Sequence, residues 1–292
     1  MASAQTLIAE ALQIHDDDPV KAGQLLMGIV FNELDSGGQT NFIWLANHVN
    51  GELLSQWATA FELLASNRCE SSVFYFKSLV VAAYCSGQIL EALAGELELV
   101  RLTGAPLAEV KMLTGLLCVQ HRHNDIEVRS LLQTLACYTA WSEVPSHPLI
   151  AKSTAAALNN LLSALIEGSR IEVTDGVHQA ALVDAARACE QLWSRHGTWV
   201  NHERSLYLRA LVFNKFCQWS SASEVVSVAL NIIDANGQEP VDRAFLLVEL
   251  ARAQQYLGNE KHAGDARSEA EQLASDFDPA TRAWFASVSA RP

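Results

Sequence analysis

The sequence predicts an all-α fold of stacked helix pairs, and three observations predict it. Apolar residues recur at helical spacing, and runs of β-branched residues in strict alternation are missing. Short polar or Gly/Pro punctuation cuts the chain into segments of helical length. Small residues return at a constant interval in the C-terminal third: Leu206, Ala210, Ala222 and Ala229 recur 41 positions later as Leu247, Ala251, Ala263 and Ala270.

Helices are expected at residues 4–14, 19–34, 40–49, 51–66, 71–86, 88–102, 106–121, 124–141, 147–167, 177–196, 201–218, 220–236, 239–257, 259–275 and 278–288. The boundaries have local causes. Asp16-Asp17-Asp18-Pro19 places an acidic cap before a proline at the first helical position, where the missing N–H costs nothing. Ser36-Gly37-Gly38 is expected to end the second helix. Gly87, Gly104 with Pro106, Gly168, Gly176, Gly237 with Pro240, and Gly258 punctuate later joints, and Asp278-Pro279 opens the last helix. Within 177–196, Leu182, Ala185, Ala186, Cys189, Leu192 and Trp193 form one stripe. Phe74, Phe76, Leu79, Val80, Ala82, Ala83 and Tyr84 give a neighbouring helix two apolar sides, as expected inside a stack.

Half of the 292 residues are hydrophobic and 18 % are charged, which excludes a disordered chain. Twenty basic against 33 acidic residues give a net charge of −13. Phosphate backbones and anionic membrane surfaces are bound through clustered Lys and Arg, so neither is expected as a partner. The longest apolar runs, Leu25–Phe31 and Leu79–Cys85, have seven residues each, against about 18–20 needed to span a bilayer. The first lysine is Lys21, so no secretory signal is expected. The six cysteines (69, 85, 118, 137, 189, 217) contain no CxxC pair and lie in apolar helical contexts. They read as small buried hydrophobes in a reducing, cytoplasmic setting, with a disulfide or zinc framework as the alternative.

The 41-residue recurrence has a physical meaning: alanine lets one helix back approach the next to about 8–10 Å. Going back a further 41 positions gives Ala181 and Ala188. On these residues the chain resembles the tetratricopeptide-repeat (TPR) family. In 244–274, Leu247, Leu250 and Ala251 match the large-large-small set of that family's first helix, Gly258-Asn259 its turn, and Ala263 and Ala270 its second helix. Residues 204–235 match less well, with Cys217 where the turn glycine would be. In 73–101, Leu79, Gly87 and Ala92 fit, while Leu99 replaces the last alanine. The signature Trp and Tyr are mostly absent, and 167–177 inserts a long loop. The resemblance implies a degenerate, right-handed α-α superhelix of about seven hairpins with a terminal capping helix. An irregular helical bundle is the alternative. Residues 1–70 form a cap or degenerate repeats, 71–167 degenerate hairpins, and 177–292 the clearest repeats.

Such arrays line a concave face with the first helix of each pair. The resemblance places Arg204, Tyr207, Leu208, Leu211, Asn214 and Lys215, then Phe245, Val248, Glu249, Arg252, Gln255 and Tyr256, on that face. Asn214, Lys215 and Arg252 suggest a carboxylate clamp, but Leu211 and Glu249 stand where polar or basic groups would be wanted. An apolar or amphipathic segment of another protein, or a basic one, suits this set better. Phe245, Leu208 and Val248 have an alternative role in packing against a neighbouring helix.

Catalysis has little to rest on. His121, His123 and Asp125 fall at a turn, with the imidazoles on diverging faces, and read as solvated. His202-Glu203 lacks the second His of a zincin, and no GxSxG, P-loop or GxGxxG occurs. Glu96 and Glu98 diverge and read as a solvated face. Trp44 and Trp57, and the group Trp193, Trp199 and Trp219, read as packing residues. The sequence therefore predicts a non-catalytic interaction scaffold, adaptor or chaperone with no cofactor and no metal. A ligand- or peptide-sensing regulator, and a helical metal-dependent enzyme using His121, His123 and Asp125, are the alternatives.

Overall fold

The computed structural model describes residues 3–69, 72–142, 147–168 and 170–290, and among these every regular element is helical. The chain divides into two compact units, residues 1–126 and 127–292.

The first unit holds α1 (Ala4–Ile14), α2 (Pro19–Met27), a 3-10 turn (Phe31–Glu33), α3 (Ser36–Leu45), a π-helical stretch (Ala46–Leu53), α4 (Trp57–Ser66), α5 (Val73–Ser86), α6 (Ile89–Thr103) and α7 (Leu107–His121). The pairs α1/α2, α4/α5, α5/α6 and α6/α7 pack together, the π-helical stretch packs on α2 and α4, and α1, α3, α5 and α7 also touch in succession. This double set of neighbours is what serial hairpins require, and it explains why α5 is apolar on two sides.

Several boundaries differ from expectation. The helix expected over 19–34 stops at Met27, where the Gly28 N–H turns back to the Leu25 and Leu26 carbonyls. Ser36-Gly37-Gly38 begins α3 rather than ending α2, because the Asp35 carboxylate accepts the Gly38 N–H at 2.7 Å. The helix expected from 51 starts at Trp57, since the π-helical stretch runs to Leu53 and Ser55 takes a left-handed φ of 55°. Ser71, where a helix is expected to start, and Ser169, within the loop expected over 167–177, lie outside the described residues.

The second unit holds α8 (Val128–Ser142), α9 (Pro148–Glu167), α10 (Gly176–His196), α11 (Trp199–Lys215), α12 (Trp219–Asn236), α13 (Pro240–Tyr256), α14 (Glu260–Ala274) and α15 (Pro279–Ser289). Its first helix starts at Val128 rather than 124, because Glu127 supplies the cap, accepting the Ser130 N–H at 3.0 Å. Hairpins α9/α10, α11/α12 and α13/α14 stack in order, with α9, α11, α13 and α15 touching one after another. The stack is a serial array of helical hairpins. By length and composition α9 would cross a membrane, but Ile150, Leu158, Leu161, Leu162 and Leu165 are buried among the residues of this unit, where α10 and α11 pack on it.

The alanine notches are where the recurrence puts them. Ala210, Ala222 and Ala229 are wholly buried, and their counterparts Ala251, Ala263 and Ala270 are at most 3 % exposed. The interval extends to the turns. Gly258 has φ 78°, and Cys217, 41 positions earlier, has φ 58°. The next N–H reaches back five residues in both, Asn259 to the Gln254 carbonyl at 2.9 Å and Gln218 to that of Phe213 at 2.8 Å. The α5/α6 turn is built alike, with Gly87 at φ 81° and Gln88 bonded to the Ala83 carbonyl at 2.8 Å. Cys217 therefore does a glycine's work, which places its thiol at the surface. All six cysteines are free, but only Cys189 is buried, and Cys137 and Cys217 are exposed, contrary to their reading as buried hydrophobes.

Candidate partner-binding face

The side of the second unit formed by α11, α13 and α15 carries two clefts. The larger, about 640 Å³, lies between α13, α14 and α15, and the other, about 400 Å³, between α9, α11, α13 and α15. Val248, Arg252, Gln255 and Tyr256 line the first, and Arg204, Tyr207, Leu208, Leu211 and Phe245 the second. Leu208, Phe245 and Val248 are buried and form floors, whereas Tyr256 is 57 % exposed. The Tyr256 ring stacks on Trp219 with centroids 4.2 Å apart.

Four expected positions, Asn214, Lys215, Glu249 and Arg252, hold helices together. Asn214 donates to the Glu249 carboxylate at 2.7 Å and to the Glu249 carbonyl at 3.1 Å. Arg252 donates to both Glu249 oxygens at 2.6 and 2.7 Å, and to the Val288 carbonyl at 3.3 Å. The set ties α11, α13 and α15 together beneath the surface. Lys215 donates to the Ile166 carbonyl at 3.0 Å, fastening α11 to α9.

The sequence reading missed the contribution of α15. Phe285 and Val288 enter the core beside Phe245 and Val248, and Trp284, 52 % exposed, packs on Phe245 with centroids 4.2 Å apart. The aromatic pair Trp284-Phe285 following the last hairpin was the available signal. Arg267 and Arg282 also line the larger cleft; they donate to the Gln255 side chain and to the Ser275 and Phe277 carbonyls, and among the described residues neither pairs with a carboxylate.

One end of the smaller cleft carries an Arg–Asp ion pair beside a buried carboxyl. Arg204 donates to Asp242 at 2.8 Å, and Glu203 next to it is wholly buried, 3.7 Å from the Arg204 guanidinium. Burial, helped by the neighbouring Asp242, pushes the Glu203 carboxyl up to about 9.

The histidine cluster named from sequence is dispersed. His121 bonds to Glu52 and meets Trp57 edge-on, His123 bonds to the Gln120 carbonyl, and Asp125 lies 3.7 Å from Arg122. His121 is thus part of a tertiary contact and not a solvated turn residue. Glu96 is corrected likewise: it is 2 % exposed and accepts from Tyr84, Lys111 and Thr114 at 2.9, 3.0 and 2.7 Å. Its partners come from α5 and α7, which local spacing does not reveal. Trp57 is buried as expected, but Trp44 is 40 % exposed.

Stacked hairpins with a lined face define a helical-repeat protein. No protein-family profile and no curated protein matches the chain. Among solved structures it is similar to a Podosopora anserina putative kinesin light chain with nearly identical TPR-like repeats, at 15 % identity over 81 % of this chain and 95 % of that one, with a TM-score of 0.38. It is also similar to a tetratricopeptide repeat protein from Parabacteroides merdae, at 10 % identity over 99 % of both chains, with a TM-score of 0.27.

Proposed function

We propose that the protein is a non-catalytic scaffold or adaptor that holds a segment of another protein against α11, α13 and α15 of its second unit. The observation that carries this reading is the convergence of nine of the twelve residues named from the repeat pattern on two clefts along one face. Their floors are apolar, and Tyr207, Tyr256 and Trp284 supply the aromatic contact area that concentrates binding energy at interfaces. The charges give the face a direction. Arg267 and Arg282 mark the larger cleft, while Asp242 in the smaller is already paired with Arg204, so the segment that fits is amphipathic, with an acidic group at the first. The six unpaired cysteines support a reducing, cytoplasmic setting for this interaction.

Peptide display against the full chain tests the reading. Selected sequences should pair apolar anchors with an acid, and Arg267→Glu with Arg282→Glu should lower their affinity at least tenfold. Selections that return no consensus, or peptides that bind this double variant and Tyr207→Ala as well as the wild type, would overturn it.

A further inference from the structure

In the first unit, His15, which follows α1, its neighbour Asp16, and His48 in the π-helical stretch converge. One ligand-type atom from each lies within 4.8 Å of the others. The Nε2 atoms of His15 and His48 stand 3.4 and 3.7 Å from the two Asp16 carboxylate oxygens. Two nitrogens and an oxygen on a common metal ion with bonds of about 2.0–2.1 Å sit about 3.3 Å apart, so little movement brings these atoms onto one centre.

The hydrogen bonds behind the rings orient them for this role. His15 Nδ1 donates to the Leu12 carbonyl at 2.7 Å, and a carbonyl accepts only an N–H, so the neutral ring carries its lone pair on Nε2. His48 Nδ1 donates to the Glu52 carboxylate at 2.6 Å, which fixes the same tautomer and makes the far nitrogen more basic. Glu52 is itself held from behind by His121. The Trp44 indole stacks on the His48 ring at 4.7 Å and meets His15 edge-on at 5.3 Å, limiting rotation of both. His48 owes its position to the π-helical stretch, a local departure from α-geometry that recurs at functional sites.

We propose that His15, Asp16 and His48 form a binding site for a divalent first-row transition ion of the zinc class, with Glu52 as the positioning residue behind His48. Two imidazoles and one carboxylate select such an ion over Mg²⁺ or Ca²⁺, which prefer all-oxygen shells. The exposed side of Asp16 leaves room for water to complete the coordination.

Isothermal titration of the metal-stripped full chain with ZnCl₂ tests this, with Ni²⁺ quenching of tryptophan fluorescence as a second readout through Trp44. One equivalent of Zn²⁺ should bind. Asp16→Asn, an exposed position whose exchange leaves the helical circular dichroism unchanged, should weaken binding at least tenfold. His48→Ala should abolish it, and Glu52→Gln should weaken it about 10–100-fold. Absence of saturable binding, or one-equivalent binding that survives Asp16→Asn or a folded His48→Ala undiminished, would overturn the proposal.

Discussion

Glu249 on α13 is wholly buried, and Asn214 on α11 donates to its carboxylate at 2.7 Å. Arg252 neutralises the same group and reaches α15. A buried ion pair of this kind contributes most to specificity, fixing which turn of α13 faces α11. Removing one partner is costly because the other charge is stranded. Glu249→Ala is expected to cost about 3 kcal/mol or more in chemical denaturation, and Glu249→Gln less, since the amide still accepts from Arg252.

At the α11/α12 turn the left-handed residue is Cys217, where the α5/α6 and α13/α14 turns have Gly87 and Gly258. Cys217→Gly should therefore stabilise the protein by about 0.5–1 kcal/mol, and Gly258→Ala should destabilise it by a similar amount. Thermal unfolding of both variants checks the pair of opposite signs.

Glycine inside a helix is ordinarily worth replacing. At Gly95 on α6, however, a Cβ would lie 2.6 Å from Cγ2 of the buried, β-branched Val80 of α5. Gly95→Ala is expected to destabilise by about 1–3 kcal/mol despite alanine's helix preference, because α5 and α6 must part. Combining it with Val80→Ala should recover part of the loss, measured as a double-mutant cycle.

Two carboxyls give opposite pH responses. Burial opposes ionisation of Glu52, but hydrogen bonds from His121 and His48 outweigh it and hold the carboxyl at about 2, below its ordinary 4.5. That contribution is present above pH 4.5 and lost as pH falls towards 2. The same bond to Glu52 raises His48 above 6.5, so its share is full below pH 6.5 and lost as pH rises through the elevated value. The bridge should stabilise most between pH 4.5 and 6.5, and Glu52→Gln should remove that maximum. Glu203 behaves the other way. Its folded state keeps a proton up to about 9 while the unfolded chain releases it near 4.5, so stability falls as pH rises across that interval. Glu203→Gln should flatten the slope and stabilise the protein at pH 8, seen in denaturation midpoints against pH.

Much of the fold was legible because its causes are local or periodic. The alanine interval located the stacking contacts, and Asp18-Pro19 and Asp278-Pro279 opened helices where expected, each aspartate accepting first-turn N–H groups. What escaped was set by distance or by a broken period. The π-helical stretch departs from the 3.6-residue stripe, so the 40–66 region was divided wrongly. Ser36-Gly37-Gly38 suits a helix end as well as a first turn, and only the Asp35 bond decides. Glu96 draws donors from two other helices, and His15 meets His48 only through the packing of α1 against α3 and its continuation. The residues that line the two clefts were readable on α11 and α13, but not those supplied by α15.

The placement of α15 has a consequence for self-association. A hairpin array is an open-ended pile whose last layer offers a newcomer the same apolar shelf its predecessor used. Phe285 and Val288 fill that shelf over Phe245 and Val248, and small residues, Arg282 and the Trp284 ring turn outward. The segment thus closes this side of the pile: a chain cut after Phe277 would bare Phe245 and Val248 to solvent and self-associate through them.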